Sequence, residues 1–205
     1  HVTKSAPIWM NASKGPNAGF MFYLREQSYR DQINGVGDEA SWEIIDALNL
    51  TDKVVLDIGA HVGIYALGIS KVVGNRGKVY AFEPNKANYE RLLMHINCNN
   101  RSDLVVPVNL ALGDNTGEVE FHTSNDIDGR YSCGGFIDSS YAPLDDSVYS
   151  AAQFRTEIVP LDTVDNFCVD NGITDVGLVK IDVEGAEHLV LRGMLTTLSD
   201  IKPEL

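Results

Sequence analysis

The chain of 205 residues is poor in cysteine, in long apolar runs and in positive charge. Cysteine occurs only at Cys98, Cys133 and Cys168, an odd and scattered set with no C-x-x-C pair. That excludes a disulfide framework and the usual zinc spacings, and it suits reduced thiols in a cytoplasmic setting. No apolar run approaches the ~18 residues of a membrane span. Sixteen basic residues face 29 acidic ones, a formal charge of −13. Such a surface repels phosphate backbones and anionic lipid, so neither nucleic acid nor membrane is an expected partner. Three N-x-S/T triplets, at Asn11, Asn49 and Asn100, come without a secretory apolar region. The first residue is His1, so the amino terminus is expected to be a trimmed boundary. What remains is ordinary for a globular protein, with 44% apolar and 22% charged residues. At ~150 residues per domain the length corresponds to about one domain with an elaboration.

The first 19 residues, rich in Lys, Asn, Gly, Pro and Ser, read as a loose lead-in. Phe20–Leu24 suggests an edge strand. Trp42, Ile45 and Leu48 recur at helical spacing between Asp38, a candidate cap, and Leu50. Residues 1–50 thus form a lead-in, and 51–205 the main domain. From Lys53 the pattern changes. Val54-Val55-Leu56-Asp57 has no polar alternation until its end, the signature of a strand buried on both faces of a parallel sheet. Strands are likewise expected at Lys78–Phe82 and Leu104–Val108, with helices at Ile64–Val73 and Asn85–Asn97. This alternation predicts an α/β fold with right-handed crossovers.

Glu118 and Glu120 alternate with Val119 and Phe121, as in a half-exposed antiparallel strand over Gly117–Thr123. Asn125–Ser150 is too long for a passive connector and reads as a functional lid or a disordered segment. A strand over Thr156–Leu161 should pair back, and Asp162 should cap a short helix. A buried strand follows at Val176–Asp182. A helix is expected over Gly185–Leu198, with Ala186, Leu189, Val190, Gly193 and Met194 inward. The terminal Lys202–Leu205 looks like the lead into another strand.

The chemistry concentrates at the expected strand ends. Asp57-Ile58-Gly59-Ala60-His61-Val62-Gly63 places two glycines where a ligand would approach a helix amino terminus. His61 stands where a dinucleotide fingerprint needs its second glycine. An ordinary strand–helix turn is the plainer reading. Glu83 ends the next strand, and a carboxylate there can accept both hydroxyls of a ribose diol. A solvated Glu before Pro84 is the alternative. Asn109-Leu110-Ala111-Leu112-Gly113-Asp114 follows the third strand and could border an adenine edge, or be any turn. Lys180-Ile181-Asp182-Val183-Glu184-Gly185-Ala186-Glu187-His188 gathers carboxylates and a histidine at another strand end. Glu184, Glu187 and His188 would share one helical face, for proton transfer or simply to complement the helix dipole. The set matches no recognised metal motif.

Four segments together resemble the FkbM family of S-adenosylmethionine-dependent methyltransferases: V-V-L-D-I-G-A-H-V-G at 54–63, V-Y-A-F-E-P-N at 79–85, A-L-G-D-N-T-G-E-V at 111–119 and V-K-I-D-V-E-G-A-E at 179–187. The resemblance runs from about Gly35 to the end. It implies a Rossmann-like class I methyltransferase fold: a mostly parallel central sheet with helices on both faces and a hairpin-like antiparallel insertion after the third core strand. It implies S-adenosylmethionine as donor and a hydroxyl of a small molecule or sugar as acceptor. The residues it assigns to the donor are Asp57, Gly59, Ala60, His61, Gly63, Glu83, Asn109, Ala111 and Asp182. Glu83 would hold the ribose, and Asp182 would approach the amino acid moiety or the reacting centre. An alcohol needs a base at neutral pH. Asp182 and Glu184 are the first candidates, ahead of Glu187, His188 and His122, with Tyr131 and Tyr141 on the lid. The chain departs from the family in carrying His61 where Asn is usual. It also ends where further strands are expected, so the carboxyl-terminal strands look truncated. The competing readings are a non-catalytic nucleoside-cofactor-binding module and a nicotinamide-dependent oxidoreductase.

Overall fold

The structure, a computed structural model, describes residues 7–24, 27–124 and 154–205. At its centre lie four parallel strands in the order β5-β4-β3-β9: β3 (Val54–Ile58), β4 (Lys78–Phe82), β5 (Val105–Val108) and β9 (Val176–Ile181). Their apolar runs are uninterrupted because both faces are covered. Val55, Val79, Ala81 and Leu178 pack under α3 (Ile64–Val72) and α4 (Lys86–Cys98). Leu56, Ile58, Phe82 and Val179 pack under α5 (Val164–Asp170) and α6 (Glu187–Arg192). The remaining strands are β6 (Ala111–Leu112), β7 (Gly117–Ser124) and β8 (Phe154–Asp162), with β7 antiparallel to β8. They form the insertion expected after the third core strand.

The amino-terminal region is more ordered than its composition suggests. Strand β1 (Ile8–Asn11) pairs antiparallel with β2 (Met21–Leu24), replacing the expected loose lead-in. The turn between them is tied down by Asn34 Oδ1, which accepts the N–H groups of Ser13 (2.8 Å) and Lys14 (3.1 Å). A further helix, α1 (Gln27–Ile33), precedes α2 (Glu39–Ala47). Phe22, Leu24, Tyr29, Ile33, Trp42 and Ile45 join one apolar cluster with Val55 and Leu67, so these elements cover one face of the central sheet.

Local boundaries differ from expectation for identifiable reasons. Asp38 precedes α2, but its side chain makes no capping hydrogen bond. Thr163, not Asp162, caps α5: its Oγ1 accepts Asn166 N–H at 3.1 Å, and Asp162 Oδ1 accepts Thr163 N–H at 2.7 Å. The long final helix is broken. It runs only over Glu187–Arg192, and a π-helical turn occupies Thr197–Ile201. At Gly193 a Cβ would stand 1.8 Å from Gly113 O, so the chain is pressed there against the β6 loop. Asp165 then captures the N–H groups of Thr196 and Thr197 at 2.9 and 2.7 Å. Near the end, Glu204 bridges in parallel to Leu178, as the strand-like terminal residues suggested.

Candidate active site

The β3–α3 turn is built by its neighbours as much as for a ligand. Gly59 and Gly63 have φ of 79° and 90°, the left-handed region that favours glycine. A Cβ on Gly59 would lie 1.9 Å from Asp182 O, and one on Gly63 would lie 2.5 Å from Leu92 Cδ1. The backbone of the adjacent strand end therefore demands Gly59, while at Gly63 the left-handed φ is the stronger requirement. The turn is fastened to β4 by Gly59 and Ala60 N–H, which donate to Phe82 O at 3.0 and 2.8 Å.

This fastening brings Glu83 into position. Its carboxylate accepts His61 N–H on Oε2 at 2.8 Å and Asn85 N–H on Oε1 at 2.9 Å. The side chain is only 5% exposed. Burial pushes its pKa up to about 7, although the Asn85 and His61 amides, the Asn88 side chain and then Lys180 favour the charged form. Asn109 acts from behind, donating through Nδ2 to Glu83 O (2.7 Å) and Pro84 O (3.0 Å). Burial, and then the nearby cations Arg91 and Lys180, lower the His61 pKa to about 4, and its ring stacks on Tyr29.

On the other side of β3, Asp57 is fully buried. It sits opposite Lys180 in the register of β3 and β9, with Lys180 Nζ 3.1 Å from its Oδ1. Neither Asp57 oxygen receives a well-aligned hydrogen bond. Lys180 also donates to Gly59 O at 3.1 Å, stands 3.6 Å from Asp182 Oδ2 and lies over the Tyr65 ring. Burial disfavours its charge, but Asp57 and then Asp182 outweigh that and raise its pKa.

These strand ends surround a cavity of about 350 Å³, within the size range of small-molecule sites. Gly59, Ala60, His61, Glu83, Ala111, Asp182 and Glu184 line it, whereas Asp57, Gly63 and Asn109 do not. Its apolar lining includes Phe82, Leu110, Leu112 and Phe121. Its charged and polar lining includes Lys180, with Tyr65 and Asp182 beside it, Glu184, and Gln32 and Asp38 from the amino-terminal elements.

Glu184 is not on the helix. It sits in the turn before α6 with φ 53°. Its enclosure, with Asp182 and Glu187 nearby, raises its pKa. Glu187 opens the helix and accepts Val183 and Gly185 N–H, both at 3.2 Å, so its carboxylate closes the turn. The shared helical face therefore does not form. His122 lies on β7, its Nδ1 3.0 Å from Thr156 Oγ1, and neither it nor His188 lines the cavity. The lid segment, with Tyr131 and Tyr141, lies outside the described residues.

Sequence reasoning passed over Lys180, Tyr65, Gln32 and Asp38 as cavity residues. Lys180 did carry a signal: a charge inside a buried apolar run needs a partner. The other three enter through tertiary packing.

The cavity suits S-adenosylmethionine. It offers a buried carboxylate for a ribose diol, apolar walls for a purine, and acidic groups for a sulfonium. A parallel sheet in this strand order, with a glycine turn on one central strand and an acidic tip on the next, is a class I methyltransferase arrangement. The model of the Methyltransferase FkbM domain matches residues 57–205, and the chain belongs to the FkbM family of S-adenosylmethionine-dependent methyltransferases. It is 29% identical over 160 residues to the 2-O-methyltransferase NoeI of Sinorhizobium fredii, covering 77% of this chain and 63% of that protein. It is 23% identical over 150 residues to the hexuronic acid methyltransferase AglP of Haloferax volcanii, covering 73% and 53%. The chain thus spans between about half and two thirds of these curated relatives. A crystal structure of Methyltransferase FkbM from Methylobacillus flagellatus KT aligns over 77% of this chain and 33% of that one, at 21% identity and a TM-score of 0.49. Among the described residues no helix is long and apolar enough to cross a membrane.

Proposed function

We propose that this protein methylates a hydroxyl oxygen of a sugar or similar polyhydroxylated small molecule, with S-adenosylmethionine as donor. The observation that carries the reading is Glu83: a buried carboxylate, held by two backbone N–H groups, on the wall of a cavity at the ends of parallel strands. The names of the curated relatives, a 2-O-methyltransferase and a hexuronic acid methyltransferase, support oxygen as the target and a carbohydrate as the acceptor.

When bound, S-adenosylmethionine supplies a methyl carbon activated by its sulfonium. The protein's contribution is placement and proton management. Glu83 accepts the ribose hydroxyls on the lone pairs its amide donors leave open. Phe82, Leu112 and Phe121 enclose the base. From the polar lining Glu184 takes the acceptor's proton, since its raised pKa brings a carboxylate closer to neutrality than usual. Asp182, beside it, adds negative charge to this part of the cavity.

Isothermal titration with S-adenosylhomocysteine tests the first step. The protein should bind it, and Glu83→Ala should weaken binding at least tenfold. Unchanged affinity removes the ribose assignment. Transfer of labelled methyl groups to a panel of saccharides tests the second step. Label recovered on nitrogen or carbon, and not as a methyl ether, overturns it.

A further inference from the structure

We propose that Lys180 anchors the carboxylate of the donor's amino acid moiety, with Asp182 beside it taking the ammonium group; this rests on the donor reading above. Lys180 is a cation held at one point by three separate contacts. Its Nζ lies 3.1 Å from Asp57 Oδ1 and 3.1 Å from Gly59 O, which its N–H reaches, and the ammonium sits 5.1 Å from the centre of the Tyr65 ring. The side chain is 17% exposed, so it cannot swing freely into solvent. Yet it lines the cavity, and so does Asp182, whose Oδ2 is 3.6 Å away. That spacing exceeds a good hydrogen bond. The wall therefore presents a cation and an anion side by side and incompletely satisfied by each other. An α-amino acid carries the complementary pair of charges on one carbon.

The arrangement explains why a lysine stands in an otherwise apolar strand. Asp57 is buried and does not line the cavity, so its charge acts through Lys180. It keeps the ammonium protonated and aimed. The amino acid end of the donor then lies between β3 and β9, and the nucleoside end between β4 and the β6 loop. Glu83 and Lys180 divide the donor between them.

The test compares two ligands that differ only at the amino acid end: S-adenosylhomocysteine and 5′-methylthioadenosine. Titration calorimetry on the full chain should show Lys180→Gln losing at least tenfold in affinity for the first and less than twofold for the second. Lys180→Arg should recover most of the loss. Because Lys180→Gln leaves Asp57 buried without its cation, the double variant Asp57→Asn/Lys180→Gln provides a folded control, and it should show the same selective loss. Equal weakening of both ligands, or undiminished binding of S-adenosylhomocysteine, overturns the assignment. If the unaltered protein binds neither ligand, the donor reading itself fails and the anchor falls with it.

Discussion

Asp57 and Glu83 end neighbouring parallel strands and are both buried, yet they are neutralised in opposite ways. Asp57 faces a lysine across β9 and has no surface on the cavity. Glu83 faces no cation at contact distance among the described residues; two backbone amides and the Asn88 side chain hold it, and it stays on the cavity wall with a pKa pushed up to about 7. The difference separates two uses of one residue type. A carboxylate matched by a formal charge is spent on structure. One held by neutral amide dipoles, two from the main chain and one from the Asn88 side chain, keeps an adjustable charge for a ligand.

The largest test of this comparison is Asp57→Asn. It leaves the Lys180 ammonium buried with only Asp182, itself largely exposed, nearby. Breaking one side of a buried pair costs about 3–5 kcal/mol, or roughly 10 °C in Tm for a chain of this size. Thermal melts should show that loss. A melt within a degree or two of the unaltered protein would put Asp57 and Glu83 in the same class.

Next in size is the pH dependence. His95 is fully buried; Tyr23 N–H donates to its Nε2 at 2.8 Å, and its Nδ1 lies 2.8 Å from Val62 O. This fixes a neutral ring with the proton on Nδ1. Burial is the main reason its pKa falls from 6.5 to about 4. A depressed folded pKa means stability that is present above pH 6.5 and lost as pH falls through 4, about 3 kcal/mol in all. Glu83 runs the other way. Its pKa rises from 4.5 to about 7, so its contribution is full below pH 4.5 and lost as pH climbs through 7. His61, also lowered to about 4, acts in the same direction as His95, and the Glu83 window overlaps both and partly cancels them. In Glu83→Gln the cancellation disappears, and denaturation between pH 7 and 4.5 should lose about 3 kcal/mol more than in the unaltered protein. Parallel curves would mean that Glu83 does not titrate in that range.

A smaller effect concerns binding. On the ribose role proposed for Glu83, the diol needs an ionised acceptor, so affinity for S-adenosylhomocysteine should decline as pH drops below about 7, where Glu83 takes a proton. The expected fall is about tenfold per pH unit at the limit, and it should be absent in Glu83→Gln. Calorimetry at several pH values measures it. A pH-independent affinity in the unaltered protein would return Glu83 to the structural role of Asp57.

How far the sequence disclosed these features follows from where the forces act. The parallel strands were legible because burial on both faces leaves apolar runs such as Val54–Leu56. The glycine turn and Glu83 were legible because strand, turn and tip lie close together in the chain. Strand β1 was not, since of its four residues only Met10 is buried. Helix α1 offers few buried apolar positions, chiefly Tyr29 and Ile33, and they make no stripe in a polar segment. The break at Gly193 depends on Gly113, 80 residues earlier, and no local pattern records it. The same holds for the reason behind Gly59. Its glycine suggested a ligand, but Asp182 O occupies the space a side chain would need.

His61 supplies the finest test. Its φ of 51° is a conformation that Asn tolerates better than most residues. What reaches Glu83 from this position is the backbone N–H, which any residue but proline provides. Replacement by Asn loses the stacking on Tyr29 and gains conformational ease, two effects of about 1 kcal/mol or less and opposite sign. His61→Asn should therefore change donor affinity less than about threefold and leave the Glu83 pH dependence intact. A large loss with the fold preserved would show that the imidazole itself contacts the ligand. The amide cradle of Glu83 would then be only part of what this turn contributes.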